Sequence, residues 1–227
     1  MQTNRLFLLF SGLLFLSLSC QQTPEYKGPI LFGDLYVRFL QDTDEVKATA
    51  TFVLGDSLQV AVPFRPEGGV AFQGGGMGGR AITERLYRYN WENTLKYPEQ
   101  FQFSFKNQNG AAQQFSGTLS PITQVSLPKP LSLRQGGRVH IQAPIAENEK
   151  VVLLFNSSDN TSKSITLSGP IPDGQLQLSA EQLKSLTPGA WTLFLVKKQL
   201  QVFSQAEQEI TLSIEFYAQE QQVEVVE

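Results

Sequence analysis

Apolar and polar residues alternate over long stretches of this chain, and this period of two constrains the fold more than any other feature. The clearest run places on one side of the chain Val46, Ala48, Ala50, Phe52 and Leu54. Comparable runs cover residues 35–40, 58–64 and 101–119. Because successive side chains of a strand point to opposite faces, each run predicts a half-buried β-strand. We therefore expect an all-β fold whose first three strands form an antiparallel meander.

Turn signals and prolines divide these runs into units. The polar segment 41–45 separates the first two strands, and Asn109–Gly110 is a dipeptide preferred at tight hairpin turns. About seven strands between residues 30 and 122 match the size of one β-sandwich domain. Three prolines within 121–130 predict a short stiff linker. We expect domains over 30–122 and 123–218, followed by a tail, 219–227, that is frayed or forms an extra edge strand.

The second half carries its own local signals. The five apolar residues Val151–Phe155 predict a central strand buried on both faces. Ser179 and Gln182 have the spacing of a capping box, so we expect a single helical turn there, followed by a strand that starts near Trp191. In this order of elements, residues 123–218 resemble a bacterial immunoglobulin-like domain. The resemblance implies a fold of two tandem antiparallel β-sandwich domains.

The first nineteen residues have the composition of a secretory signal. Arg5 supplies a positive charge, residues 6–16 are apolar, and Ser17 to Ser19 lead to Cys20. An apolar run of about a dozen residues is shorter than the roughly 20 that a helix needs to cross a bilayer. We therefore expect residues 1–19 to be a cleaved signal peptide.

Cys20 is the single cysteine of the 227 residues. Its position resembles the processing site of bacterial lipoprotein signals, although Leu18 stands one place nearer to the cysteine than in that pattern. The resemblance implies lipid attachment at Cys20 and a lipidated tether over 20–29. Because Gln21 is not the aspartate that retains such proteins at an inner membrane, it also implies an outer-membrane location. An ordinary secreted protein with an unused thiol is the alternative.

Tyr87, Tyr89 and Trp91 fall on one face of an alternating segment. Flat rings with polar edges can stack on sugars, and large aromatic side chains also dominate protein cores. The row is therefore either part of a sandwich core or a glycan-binding face.

Two other patterns have a structural and a functional interpretation. Gly74, Gly76 and Gly79 match the G-x-G-x-x-G spacing of nucleotide sites. That motif requires a helix after it, so a glycine loop explains the residues better. The acidic turn 42–45 contains oxygen ligands suited to calcium, but such turns are commonly only solvated.

Composition narrows the chemistry. Removal of 1–19 takes away Arg5 and no acid, so the basic side chains fall from 18 to 17 against 21 acidic ones. This excess of acids argues against nucleic acid as a partner. His140 is the single histidine, which leaves little basis for a catalytic triad or a zinc site. We expect no catalytic residues, no metal and no cofactor.

The combined features predict a non-enzymatic, membrane-anchored lipoprotein that acts as a binding or structural module in a bacterial cell envelope or surface assembly. Its expected partners are the lipid membrane, through acylated Cys20, and an envelope or surface protein. The alternative is a glycan-binding lipoprotein that uses Tyr87, Tyr89 and Trp91.

Overall fold

The computed structural model describes residues 28–127 and 130–227, so the predicted signal peptide and Cys20 lie outside the described residues. Eighteen strands and one short helix make up the described part of the chain, which confirms the all-β class. The strands form two lobes, each built from two facing sheets. We call them lobe 1 and lobe 2.

Lobe 1 contains most of the first half of the chain. Its strands are β1 (Ile30–Leu40), β2 (Glu45–Gly55), β3 (Val62–Pro63), β4 (Val70–Phe72), β5 (Gly75–Gly76), β6 (Gly78–Thr83), β7 (Leu86–Thr94), β8 (Phe101–Lys106) and β9 (Ala112–Gly117). One sheet contains β1, β2, β7 and β6 in that order, and the second has the order β5-β4-β8-β9. The alternate residues of β1 and β2 are buried, as the period of two predicts.

Aromatic side chains fill the space between the two sheets of lobe 1. The ring of Phe52 on β2 lies 4.4 Å from that of Phe105 on β8, measured between centroids. Phe72 and Phe103, on β4 and β8, are 4.8 Å apart and fully buried. Large aromatic residues bury more apolar area per residue than any others, so this core stabilises the lobe without a disulfide.

Lobe 2 contains the remaining strands. They are β10 (Val125–Ser126), β11 (Leu131–Ser132), β12 (Gly137–Ile141), β13 (Glu149–Ser157), β14 (Ser162–Ser168), β15 (Gln175–Leu178), β16 (Gly189–Gln205), β17 (Gln208–Tyr217) and β18 (Gln221–Val226). Strands β10, β12 and β15 form a separate three-stranded sheet, while β13 pairs with β14 and β16. The predicted capping box is confirmed, because Ser179 caps helix α1 (Ala180–Leu183) with reciprocal bonds to Gln182.

Two long strands connect the lobes. β16 has 17 residues, and its first part pairs with β13 and β18 in lobe 2. Its second part pairs with β17, which in turn pairs in parallel with β1 over ten residues of lobe 1. The all-β sandwich-like architecture is therefore supported, whereas two tandem immunoglobulin-like domains are not confirmed. The tail residues Gln221–Val226 form strand β18, which lies between β11 and β16 rather than at the edge of the sheet.

The run over residues 58–64 differs from its prediction. Only Val62–Pro63 form a strand, and residues 56–61 form a turn whose Leu58 and Val60 are exposed. The reason is that β7 pairs with β2 up to Thr51, so only Val53 and Leu54 are left to pair with β3. The predicted Asn109–Gly110 hairpin is confirmed, with Gly110 at φ +78°.

The run Val151–Phe155 lies in β13 between β14 and β16, so its central position is confirmed. Val152 and Leu154 are only half-buried, however, so the strand is fully buried on one face alone.

Candidate functional site

Cys20, the predicted lipid-attachment residue, lies outside the described residues, and its modification stays a prediction. The structure shows where its tether joins the folded body. Gly28 precedes β1, whose first residue, Ile30, pairs with Gly55. The backbone N–H of Leu31 donates to the carbonyl of Glu207 at 3.0 Å. The tether therefore joins lobe 1 at the end where β2 finishes and β17 begins.

The structure brings Tyr87, Tyr89 and Trp91 together on β7. Tyr89 is buried, with its ring 6.4 Å from that of Phe52. Trp91 is half-buried and packs edge-on against Phe72 at 5.0 Å. These contacts attach the row to the aromatic core of lobe 1.

Tyr87 lies at the edge of this row. Its ring is half-buried, 5.2 Å from the ring of Tyr89, and the guanidinium of Arg65 lies 4.3 Å above it. Burial, followed by the neighbouring Tyr87 hydroxyl, raises the pKa of Tyr89. A sugar-stacking face needs exposed rings, so the glycan-binding prediction now depends on Tyr87 and Trp91 alone.

The glycine-rich segment is part of a hairpin and an edge strand. Gln73 and Gly74, both with positive φ, form the turn between β4 and β5, and Gly78 begins β6. No helix follows the G-x-G-x-x-G spacing in the described chain, where β6 leads directly into β7. The segment therefore lacks the helix N-terminus that holds a phosphate in nucleotide sites.

A buried ionic cluster lies where β16 passes from lobe 2 to lobe 1. The ammonium Nζ of Lys197, whose side chain is fully buried, is 3.0 Å from Oε2 of Glu149. It also donates to the hydroxyl of Ser120 at 2.6 Å and to the carbonyl of Pro144 at 2.9 Å. These contacts of Nζ are all to oxygen acceptors, which the N–H donors of a lysine side chain can satisfy. We call these four residues the junction cluster.

The junction cluster continues towards the aromatic core. Oε2 of Glu149 also accepts a hydrogen bond from the backbone N–H of Ala146 at 2.7 Å. The hydroxyl of Tyr97 donates to the carbonyl of Leu119 at 2.5 Å. Burial, followed by the charge of Glu149, raises the pKa of Tyr97. The cluster thus connects the loop before β13, the segment after β9 and strand β16.

Sequence reasoning missed the junction cluster, although its signal is visible. Lys197 continues the inward-facing series Trp191, Leu193 and Leu195. Glu149 lies two residues before Val151 on β13, so the two side chains point to the same, buried face of the strand. A lysine and a glutamate at inward positions of two strands predict a buried pair when those strands are neighbours.

A second group of polar side chains lies on the sheet that contains β17, β1 and β2, on the face turned away from the β5-β4-β8-β9 sheet. The hydroxyls of Tyr36 and Tyr217 donate to Oε2 of Glu215 at 2.7 and 3.1 Å. Burial, and then Glu215, raise the pKa of both tyrosines. Nearby, a groove of about 220 Å³ is lined by residues that include Phe32, Asp34 and Leu58. It is open to solvent and has the shape of a shallow surface feature.

The described residues contain no group of three His, Cys, Asp or Glu side chains that could hold a metal ion. Within the same ranges, no helix has the length and apolarity needed to cross a membrane. His140 is exposed on β12. Glu45, in the acidic turn considered for calcium, lies 3.5 Å from the guanidinium of Arg38.

Comparison with protein-family models found no match to this chain, and comparison with curated proteins found none either.

Proposed function

We propose that this protein is a non-enzymatic lipoprotein, anchored through a lipid on Cys20, that serves as a binding or structural module of a bacterial cell envelope. The observation that carries the proposal is the single cysteine at the end of a signal-like apolar run. Residues 20–29 then act as the tether between lipid and folded body. Gln21 favours the outer membrane as its location.

The folded body supports a binding role through an exposed strand edge. All six residues of β6 are exposed, and β6 pairs on one side with β7. Among the described residues, no strand pairs with its other side. An unpaired edge offers backbone donors and acceptors to an extended segment of a partner, so β6 is the proposed contact with an envelope or surface protein.

The proposal retains the immunoglobulin-like assignment for lobe 2. The capped turn α1 precedes the strand that carries Trp191, whose indole N–H donates to the carbonyl of Thr187 at 2.9 Å. Strand β17 lies inside the predicted range 123–218 but pairs over its whole length with β1 of lobe 1, so the proposed assignment leaves β17 out.

We place glycan binding second. Tyr89 is directed into the core, and Trp91 packs on Phe72, so the row contributes to folding whether or not it binds a sugar. The exposed part of Tyr87 is moreover covered on one side by Arg65.

Metabolic labelling with an alkyne-bearing fatty acid tests the anchor. We expect label in the wild-type chain and in a Ser19→Ala control, but none in Cys20→Ser. Mass spectrometry of the mature N-terminus should find diacylglycerol on Cys20. An unmodified Cys20 thiol in membrane-extracted protein would refute the proposed anchor.

A further inference from the structure

Large apolar side chains are exposed at one end of lobe 1. Leu58, Val60 and Val62 are 63%, 67% and 61% exposed, and Ile82 is 40% exposed. The first three have the alternation of a strand, but Leu58 and Val60 lie in the turn at 56–61 and Val62 lies in the two-residue strand β3, so all three are outside the core. We call these four residues the apolar end.

The strand register places the apolar end beside the tether. Val62 pairs with Leu54, and the next residue of β2, Gly55, pairs with Ile30 at the start of β1. Ile82 lies near the end of β6, at the irregularity in register just before the hairpin turn to β7. Because β7 runs antiparallel to β2, that hairpin is at the same end as Gly55.

Chain length restricts which end of the body can reach an anchored membrane. Gly28 follows Cys20 by eight residues, and a fully extended chain of that length spans at most about 29 Å. β1 has 11 residues, and at the usual rise it extends about 36 Å away from the tether. The far end of lobe 1 is therefore beyond the reach of the tether, whereas the apolar end is next to it.

The two segments that carry the apolar end have a positive net charge, in contrast to the net charge of −3 for the whole chain, although Glu207 and Glu209 lie nearby at the start of β17. Segments 56–66 and 78–88 contain four arginines, which are Arg65, Arg80, Arg85 and Arg88, and two acids, Asp56 and Glu84. Within the described residues none of these arginines forms an ion pair, although Arg65 stacks on Tyr87. Exposed apolar side chains, on segments whose arginines form no ion pair among the described residues, match the boundary of a bilayer with anionic headgroups.

We infer that the apolar end docks on the surface of an anionic lipid bilayer, with Leu58 and Val60 in the headgroup region. The inference rests on the proposed function, because the anchor brings this end to the membrane. Docking would orient the body, so that β1 points away from the bilayer and the turn at Asp42–Thr43 lies at the end of lobe 1 opposite to the bilayer.

The test uses the full chain matured in a bacterial host, extracted and mixed with excess vesicles of phosphatidylethanolamine and phosphatidylglycerol. With Cys20 acylated, a cysteine at Val60→Cys is the one reactive thiol and takes an environment-sensitive fluorophore. The matched control is Thr43→Cys, exposed in the turn at the opposite end of β1. The readout is quenching of each probe by lipids that carry a quencher near the headgroup.

We expect severalfold stronger quenching of the probe at position 60 than of the probe at position 43. When Leu58→Asp is added, the quenching at position 60 should decrease. Weak or equal quenching at the two positions, in protein that floats with the vesicles, would overturn the docking inference while leaving the anchor intact. Equal quenching by pure phosphatidylcholine vesicles would overturn the role of the arginines. Intact mass separately reports the lipid on Cys20. A chain without lipid on Cys20 would refute the proposed function. Quenching of the probe by the added vesicles would still decide whether the apolar end docks. In that case peptide mapping would confirm which cysteine carries the fluorophore.

Discussion

The ammonium of Lys197 and the carboxylate of Glu149 are 3.0 Å apart, and both side chains are buried at the point where the two lobes share β16. Taking two charges out of water costs several kcal/mol for each ion, and the mutual attraction offsets that cost only when other polar contacts assist. Here Ser120, Pro144 and Ala146 supply those contacts. The ion pair and its hydrogen bonds therefore hold together three chain segments: the loop before β13, the segment after β9 and strand β16.

Lys197→Met should destabilise the protein by about 3–5 kcal/mol, because it leaves the Glu149 carboxylate buried without its cation. The double variant Lys197→Met with Glu149→Gln should regain part of this loss, since no uncompensated charge remains. Urea denaturation followed by intrinsic fluorescence measures the free energy of unfolding. Lys198→Met is the matched control, because the side chain of Lys198 is half-buried on the opposite face of β16 from that of Lys197. A Lys197 variant as stable as this control would contradict the ionic role.

Stability should fall as the pH rises above about 10, the pKa of tyrosine in unfolded chains. Burial raises the pKa of Tyr97 and Tyr36 in the folded state, so above pH 10 the unfolded chain loses these protons first and is favoured. Each group contributes at most about 1.4 kcal/mol per pH unit, reduced by its remaining solvent exposure. Denaturation midpoints measured between pH 8 and 12 test this. Below pH 10 the tyrosines should cause no change in stability with pH. Tyr97→Phe and Tyr36→Phe should each reduce the fall in stability above pH 10. If the fall is as steep in both variants as in the wild type, the prediction is wrong.

Gly136→Ala should destabilise lobe 2 more than Gly68→Ala destabilises lobe 1. Both glycines have positive φ, +74° and +78°, so alanine at either position costs about 1–2 kcal/mol in backbone conformation. A Cβ at Gly136 would in addition overlap the carbonyl oxygen of Leu178, whereas the space around Gly68 is empty. The comparison of the two unfolding free energies isolates the steric part, and equal losses would show that the strand ends at Gly136 can move apart.

Val225→Ala should cost about 2 kcal/mol, because it removes two buried methyl groups of β18. Val202→Ala, the control, should change stability by less than about 0.5 kcal/mol, since that side chain is 56% exposed. Thermal unfolding of both variants checks the difference. If Val225→Ala behaves like Val202→Ala, then β18 contributes little to lobe 2.

Local signals were sufficient for the elements that form between neighbouring residues. The β1–β2 hairpin, the Asn109–Gly110 turn and the capped turn at Ser179 all follow from side-chain period and turn chemistry. The same signals failed for residues 58–61, because alternation says nothing about whether a partner strand has a free edge. In this chain β7 already occupies that edge of β2.

Long-range pairing could not be predicted from these patterns. Asp34 and Thr211 share a hydrogen bond of 3.1 Å although 177 residues separate them, and no local feature of either strand specifies the other. The continuity of β16 was also hidden, because Lys197, Lys198 and Gln199 interrupt its apolar alternation. The aromatic row was predicted to share one face, and its contacts with Phe52 and Phe72 depend on the facing sheet.

The parallel ladder between β1 and β17 has a mechanical consequence for a body held by its N-terminal tether. A pull on Gly28 acts along the axis of β1, which is paired over ten residues with β17 on one side and over eleven residues with β2 on the other. Load in this direction shears both ladders, so many hydrogen bonds resist together instead of opening one after another. If the proposed anchor holds the protein, the strand that receives the tension is thus paired on both sides along nearly its whole length.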